Sequence, residues 1–189
     1  MRRIVADLES IQQRFALVGG FAVSARTEPR FTRDVDLVVA VSDDADAEQV
    51  LRALGARGYV VVATVEQVAT RRLATARLAS PHAPGRELIV DLLFASSGVE
   101  QEIAARAELL ELLEGLVVPV AGLGDLLALK LLSRDDDTRP QDAADIVALR
   151  ATATPDDLAV ARETVDLITA RGYARGRDLS AALEVLTEG

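Results

Sequence analysis

The sequence predicts an α/β core over residues 1–121 followed by a helical region over residues 122–189 packed on it. Three observations predict this. Short valine-rich runs alternate with stretches of helical spacing as far as Val120, the pattern of strands interleaved with helices. From Leu123 onward the apolar positions recur only at helical spacing. The chain has 189 residues, half of them apolar, which is enough to bury a core without crosslinks. No repeat or low-complexity linker separates the two parts.

In chain order, Ile4, Leu8 and Ile11 place a first helix over 3–13. Phe15–Val18 is a buried strand stopped by Gly19 and Gly20, with a short helix starting at Phe21 and running to Arg26. Asp34–Val41 is a central, valine-rich strand. Ser42-Asp43-Asp44 starts a helix whose stripe is Val50, Leu51 and Leu54 and whose end is Gly58. Tyr59–Thr64, Thr70–Ala79 and Glu87–Phe94 read as strands, with a loop containing His82, Pro84 and Gly85 before the last. The stretch 103–113 is mixed, and Leu116–Val120 is a short strand. Helices follow near 123–133, 140–150, 155–170 and 178–187. Thr154-Pro155-Asp156-Asp157 starts the third of these with a cap, a proline and two acids facing the dipole. Gly172 terminates it.

Composition excludes several chemistries. There is no cysteine and a single histidine, His82, so thiolate zinc sites, His-ligated metals and Ser-His-Asp triads are out. Any metal here takes oxygen ligands, which points to Mg²⁺, Mn²⁺ or Ca²⁺. The formal charge of −9 argues against broad nucleic-acid binding. An aromatic content of 3% leaves little material for stacking single strands. No signal peptide or membrane span is visible, so a cytoplasmic protein without membrane contact is expected.

Three local features carry chemistry. Glycines after a buried strand let the backbone turn sharply, and the N–H groups of a helix starting there can hold phosphate oxygens. Asp34 and Asp36 alternate with Val35 and Leu37, so the two acids share one strand face and the apolar pair enters the core. Two neighbouring carboxylates repel unless a cation or proton lies between them. Asp91 interrupts an apolar strand, Leu88–Phe94, where an unpaired acid is costly. Further along, Lys130 is the basic residue of a leucine-rich helix and must either snorkel or pair with an acid. Asp142 and Asp145 share one face of the next helix, and either could be its partner. Arg71, Arg72 and Arg77 read as an exposed strand face or, beside a site, as a steering surface for a phosphate-bearing acceptor. Asp135-Asp136-Asp137 lacks the glycine and distal glutamate of a calcium loop and reads as a solvated turn.

Taken together, the order Val18-Gly19-Gly20, a thirteen-residue spacer (21–33), Asp34-Val35-Asp36-Leu37 and a later strand bearing Asp91 resembles the polymerase β-like nucleotidyltransferase superfamily. Gly-Gly-Phe-Ala leading to Arg30-Phe31-Thr32-Arg33-Asp34-Val35-Asp36-Leu37 is similar to the AbiEii-type, toxin-related members. The similarity extends through Leu126–Arg134 and Arg139–Ile146, so it covers residues 15–150. It departs at Gln141, where a basic residue is usual, and at the acidic insert 135–137.

The resemblance implies a small mixed nucleotidyltransferase-type sheet flanked by helices, and transfer of a nucleoside monophosphate from an NTP to an acceptor hydroxyl. It implies one or two Mg²⁺ or Mn²⁺ ions held by Asp34 and Asp36, with Asp91 completing the second metal site or acting as a base, and Lys130 as a further catalytic group. Gly19, Gly20, Arg30, Thr32, Asp142 and Asp145 would bind the nucleotide. The acceptor would be tRNA, protein or a small molecule, and the chain would be the toxin of a toxin–antitoxin pair. The alternative is a non-catalytic nucleotide-binding or partner-binding module that kept the fold.

Overall fold

A computed structural model describes residues 1–81, 88–135 and 140–188. His82, Pro84 and Gly85 of the expected loop lie outside these residues, as do Asp136, Asp137 and Arg139.

The chain forms α1 (Arg2–Ser10), β1 (Phe15–Val18), α2 (Gly19–Arg26), β2 (Val35–Val39), α3 (Asp44–Gly55), β3 (Val60–Glu66), β4 (Leu73–Ala79) and β5 (Ile89–Leu93). These are followed by α4 (Glu100–Arg106), β6 (Glu108–Leu113), β7 (Leu116–Val120), α5 (Leu123–Ser133), α6 (Pro140–Thr152), α7 (Pro155–Ala170) and α8 (Leu179–Glu188). The strands make one mixed sheet in the order β3-β4-β5-β2-β1-β7-β6. β2 runs parallel to β5 and antiparallel to β1, and β1 runs parallel to β7.

The acid-bearing strand β2 is thus the centre of the sheet, not an edge. Its odd residues enter the core: Val35 and Leu37 have no exposed surface. β1 is buried along its whole length, which its four apolar residues allow on both faces. β3, at the edge, is exposed throughout.

Local signals fix the helix ends. The Asp43 side chain accepts from the Asp46 N–H at the start of α3, and Thr154 and Asp157 form a reciprocal capping box on α7. α5 is apolar nearly all round and is accordingly buried, with α6, α7, α8 and α2 packed about it. Gly124 permits this, because a Cβ there would strike the Asp157 carbonyl and the Ala161 N–H. The core is continuous from α1 through the sheet to Leu183 of α8. No helix among the described residues is long and apolar enough to cross a membrane.

Several expected boundaries change: β2 starts at Val35, so that Asp34 directly precedes it, α3 ends at Gly55 rather than Gly58, and β4 starts at Leu73 rather than Thr70. α1 stops at Ser10, and Gln12 takes a left-handed φ of 55°, so the helix does not reach residue 13. α2 starts at Gly19 rather than Phe21, which makes the glycines its first turn. The mixed stretch 103–113 resolves into the end of α4 and strand β6, whose pairing with β7 overrides the helical preference of its leucines and glutamates.

Candidate active site

The ends of β1, β2 and β5 open into a cavity of about 590 Å³, within the range of small-molecule sites. Gly19, Gly20, Arg30, Thr32, Asp34, Asp36, Asp91, Lys130 and Asp142 all line it. Of the residues expected at the site, Asp145 alone is not in the lining. It lies buried behind the wall and acts on it through Arg30 and Lys130.

The glycines are needed for close approach. Gly19 has φ +63°, and any Cβ on it would fall on the Asp36 carboxylate. A Cβ on Gly20 would meet Thr32 Oγ1 at 2.7 Å and Arg30 Nη2 at 3.0 Å. Thr32 and Arg30 therefore wall in the first turn of α2, which carries no side-chain cap. Its first residues, Gly19 and Gly20, line the same cavity as the Asp34–Asp36 pair, at the positive end of the helix dipole. An uncapped helix start and a pair of hard oxygen donors stand side by side.

Those two carboxylates suit Mg²⁺ or Mn²⁺. Such ions take one or two protein carboxylates and fill the other positions with water and phosphate oxygens. Among the described residues no three His, Cys, Asp or Glu side chains gather into a fuller cage. Asp91, expected beside the pair, has another partner. It sits in the middle of β5, 9% exposed, in register with Asp36 of β2 and Arg77 of β4. Arg77 Nε donates to its Oδ1 at 2.8 Å and Nη2 to its Oδ2 at 2.7 Å. The same Nη2 lies 3.7 Å from Asp34 Oδ2. The bond to Asp91 raises the guanidinium's proton affinity further, with the Asp34 and Asp36 charges adding to it. Arg77 is therefore cationic at every pH the fold survives.

The wall opposite is a buried charge network. Lys130 Nζ lies 2.7 Å from Asp142 Oδ1 and 2.8 Å from Asp145 Oδ2, so both acids are its partners and it does not snorkel. Arg30 then clamps Asp145 with two bonds of 2.7 Å, and Ser133 Oγ donates to Asp142 at 3.0 Å. Burial alone would raise the Asp145 carboxyl, but the bonds from Arg30 and Lys130 hold it below its ordinary value.

The basic cluster Arg71, Arg72 and Arg77, of which only Arg77 lies in β4, divides. Arg77 enters the site, whereas Arg72 pairs with Asp44 and lines a second cavity with Arg171 and Tyr173. Arg33, Thr75, Ser96 and Arg175 also line the main cavity and were not singled out from the sequence. Arg33 directly precedes the Asp34–Asp36 motif and could have been found from that position. Arg175 could not, because it arrives from the turn between α7 and α8 on a left-handed φ of 56°. Phe31 stands 80% exposed, with the Arg33 guanidinium 5.6 Å from its ring centre.

Comparison with known proteins bears on the family and the fold. A family model described as nucleotidyl transferase AbiEii toxin, Type IV TA system, matches residues 3–188. By sequence alone no curated protein matches the chain. Among solved structures, an antigenic nucleotidyltransferase-like protein from Paracoccidioides brasiliensis superposes with a TM-score of 0.55 at 21% identity, covering 97% of this chain and 89% of that one. The lincosamide antibiotic adenylyltransferase LnuA, lincomycin-bound, superposes with a TM-score of 0.51 at 16% identity, covering 80% of this chain and 94% of that one. At these identities the two share the fold with this chain.

Proposed function

The chain belongs to the AbiEii nucleotidyltransferase family, and on that premise we propose that its cavity moves a nucleoside monophosphate from a Mg²⁺- or Mn²⁺-bound NTP to an acceptor hydroxyl. One observation carries the reading: the Asp34–Asp36 pair and the uncapped start of α2 share one cavity wall. A metal–triphosphate complex needs both a cation site and an anion site, placed together.

Asp34 and Asp36 would hold the ion. The first N–H groups of α2 receive β- and γ-phosphate oxygens, and Gly19 and Gly20 leave room for them to approach. When bound there, the ion would supply positive charge to offset the triphosphate and favour in-line attack at the α-phosphorus. The acceptor hydroxyl forms the new P–O bond, the bond to the β-phosphate breaks, pyrophosphate leaves and the hydroxyl proton passes to solvent. Arg30 and Lys130 offset charge on the departing pyrophosphate from a wall that Asp142 and Asp145 hold in place. Such transfer rests on position and electrostatics, so no covalent intermediate with the protein is required.

The family description supports a toxin role. The acceptor we favour is a cellular macromolecule, tRNA or protein, and a cognate antitoxin is the expected partner. The test is incubation with each labelled NTP, Mg²⁺ and either cell RNA or protein extract. Label should appear in one fraction, and Asp34→Ala and Asp36→Ala should abolish it. Labelling that survives in both variants overturns the assignment, and binding of nucleotide with no labelling anywhere favours the non-catalytic module. Expression should slow growth, with relief from the product of a neighbouring gene.

A further inference from the structure

We propose that Arg77 is a fixed cation occupying the second-metal position, so that this site holds one divalent ion rather than two. The proposal rests on the metal reading of Asp34 and Asp36 given above.

The sheet sets up the arrangement. β4, β5 and β2 are adjacent strands, and their register aligns Arg77 with Asp91 and Asp91 with Asp36. Directly paired residues on neighbouring strands point to one face, with Cβ atoms about 5 Å apart. Arg77, Asp91 and Asp36 thus form a row across three strands, facing the cavity. An ion shared by the two acids would need an oxygen from each. Both Asp91 oxygens already accept from Arg77, at 2.8 Å and 2.7 Å.

The geometry also separates this pair from an ordinary cross-strand ion pair. The guanidinium does not stop at Asp91: its Nη2 reaches toward Asp34 as well, 3.7 Å away. One planar cation therefore bonds the acid of β5 and lies close to the acid that precedes β2. It delivers charge where a second ion would, and that charge, held against Asp91 and close to Asp34, repels such an ion. Asp91, with both oxygens occupied, then serves to hold Arg77.

The test counts ions. Mn²⁺ alone is titrated into the full-length protein, and the free ion is read by electron paramagnetic resonance. The wild type should bind one Mn²⁺ per chain and Arg77→Ala two. Arg77→Ala combined with Asp91→Asn should return to one. Should Arg77→Ala melt below the assay temperature, Arg77→Gln, which keeps an amide donor for Asp91 without the charge, is counted instead. Two ions in the wild type, or one ion in the uncharged Arg77 variant, overturns the role of Arg77 and leaves the Asp34–Asp36 ion intact. No bound ion in either protein overturns the metal reading itself and this proposal with it.

Discussion

Asp145 offers the clearest energetic test of the wall behind the cavity. Asp145→Asn keeps the shape and removes the charge that both Arg30 and Lys130 use. Breaking a buried ion pair by neutralising one partner costs about 3–5 kcal/mol. Lys130 retains Asp142, and the Arg30 side chain is 27% exposed and can recover some hydration. The expected loss is therefore near the lower limit, about 3 kcal/mol. For a chain of this size that corresponds to a Tm lower by roughly 6–12 °C. The pH dependence has a definite sign. The folded carboxyl titrates below its ordinary value of 3.8, so its contribution is fully present above that value and is lost as pH falls through the lower, folded one. The Tm gap between wild type and variant should be constant at neutral pH and close as the pH drops below 3.8. Melts followed by circular dichroism across this range give both quantities. A gap under about 2 °C at neutral pH, set against the same scale, refutes the network as a stabilising unit.

Other changes separate chemistry from stability. Gly19→Ala puts a Cβ onto the Asp36 carboxylate at a left-handed φ, and such misplacement should lower labelling about 100-fold or more with a modest fall in Tm. Gly124→Ala forces α7 away from α5 and should cost about 1–3 kcal/mol in denaturant melts, while the transfer rate of the folded fraction is retained. Arg106→Met strands Asp125, which is fully buried and takes bonds of 2.8 Å and 2.5 Å from that guanidinium; a loss of about 3–5 kcal/mol is expected, read by urea midpoint. A chelator should abolish labelling, and added Mg²⁺ or Mn²⁺ should restore it.

The parts legible in the sequence were those written in consecutive residues. The alternation Asp34-Val35-Asp36-Leu37 fixes which side chains face the cavity and which enter the core, because strand geometry has a period of two. The capping residues Thr154 and Asp157 mark the start of α7 for a similarly local reason. Arg77 shows what was not legible. Its place beside Asp91 depends on the antiparallel register of β4 on β5, fixed by pairing across the sheet, and three nearby arginines look alike in the sequence. Lys130 falls between these cases. That it needs an acid follows from its leucine-rich helix, but that it takes two, one of them shared with Arg30, follows from the packing of α6 on α5 and α2. Likewise 103–113 has one continuous composition, and the break into α4 and β6 exists because β7 offers a partner for pairing.

An acidic protein that handles a triphosphate has an electrostatic difficulty, and the distribution of charge in the cavity suggests how this one meets it. The chain carries −9 overall, yet Arg30, Arg33, Arg77, Lys130 and Arg175 all line the cavity. Three of these cations are fixed by buried or nearly buried acids: Arg30 by Asp145, Lys130 by Asp142 and Asp145, and Arg77 by Asp91. Held in this way they lose little side-chain freedom when a phosphate arrives, and their acids temper the attraction so that pyrophosphate can leave. Asp34, by contrast, is nearly half exposed and only 3.7 Å from one guanidinium, which leaves a carboxylate face suited to a divalent ion. On this view the buried acids tune cations and the exposed acids recruit a metal. Neutralising a buried acid such as Asp142 should then slow product release and lower Tm, whereas neutralising Asp34 should remove metal binding at unchanged Tm. Stopped-flow release of pyrophosphate against Mn²⁺ titration separates the two, and a Tm loss of equal size in both variants would contradict the division.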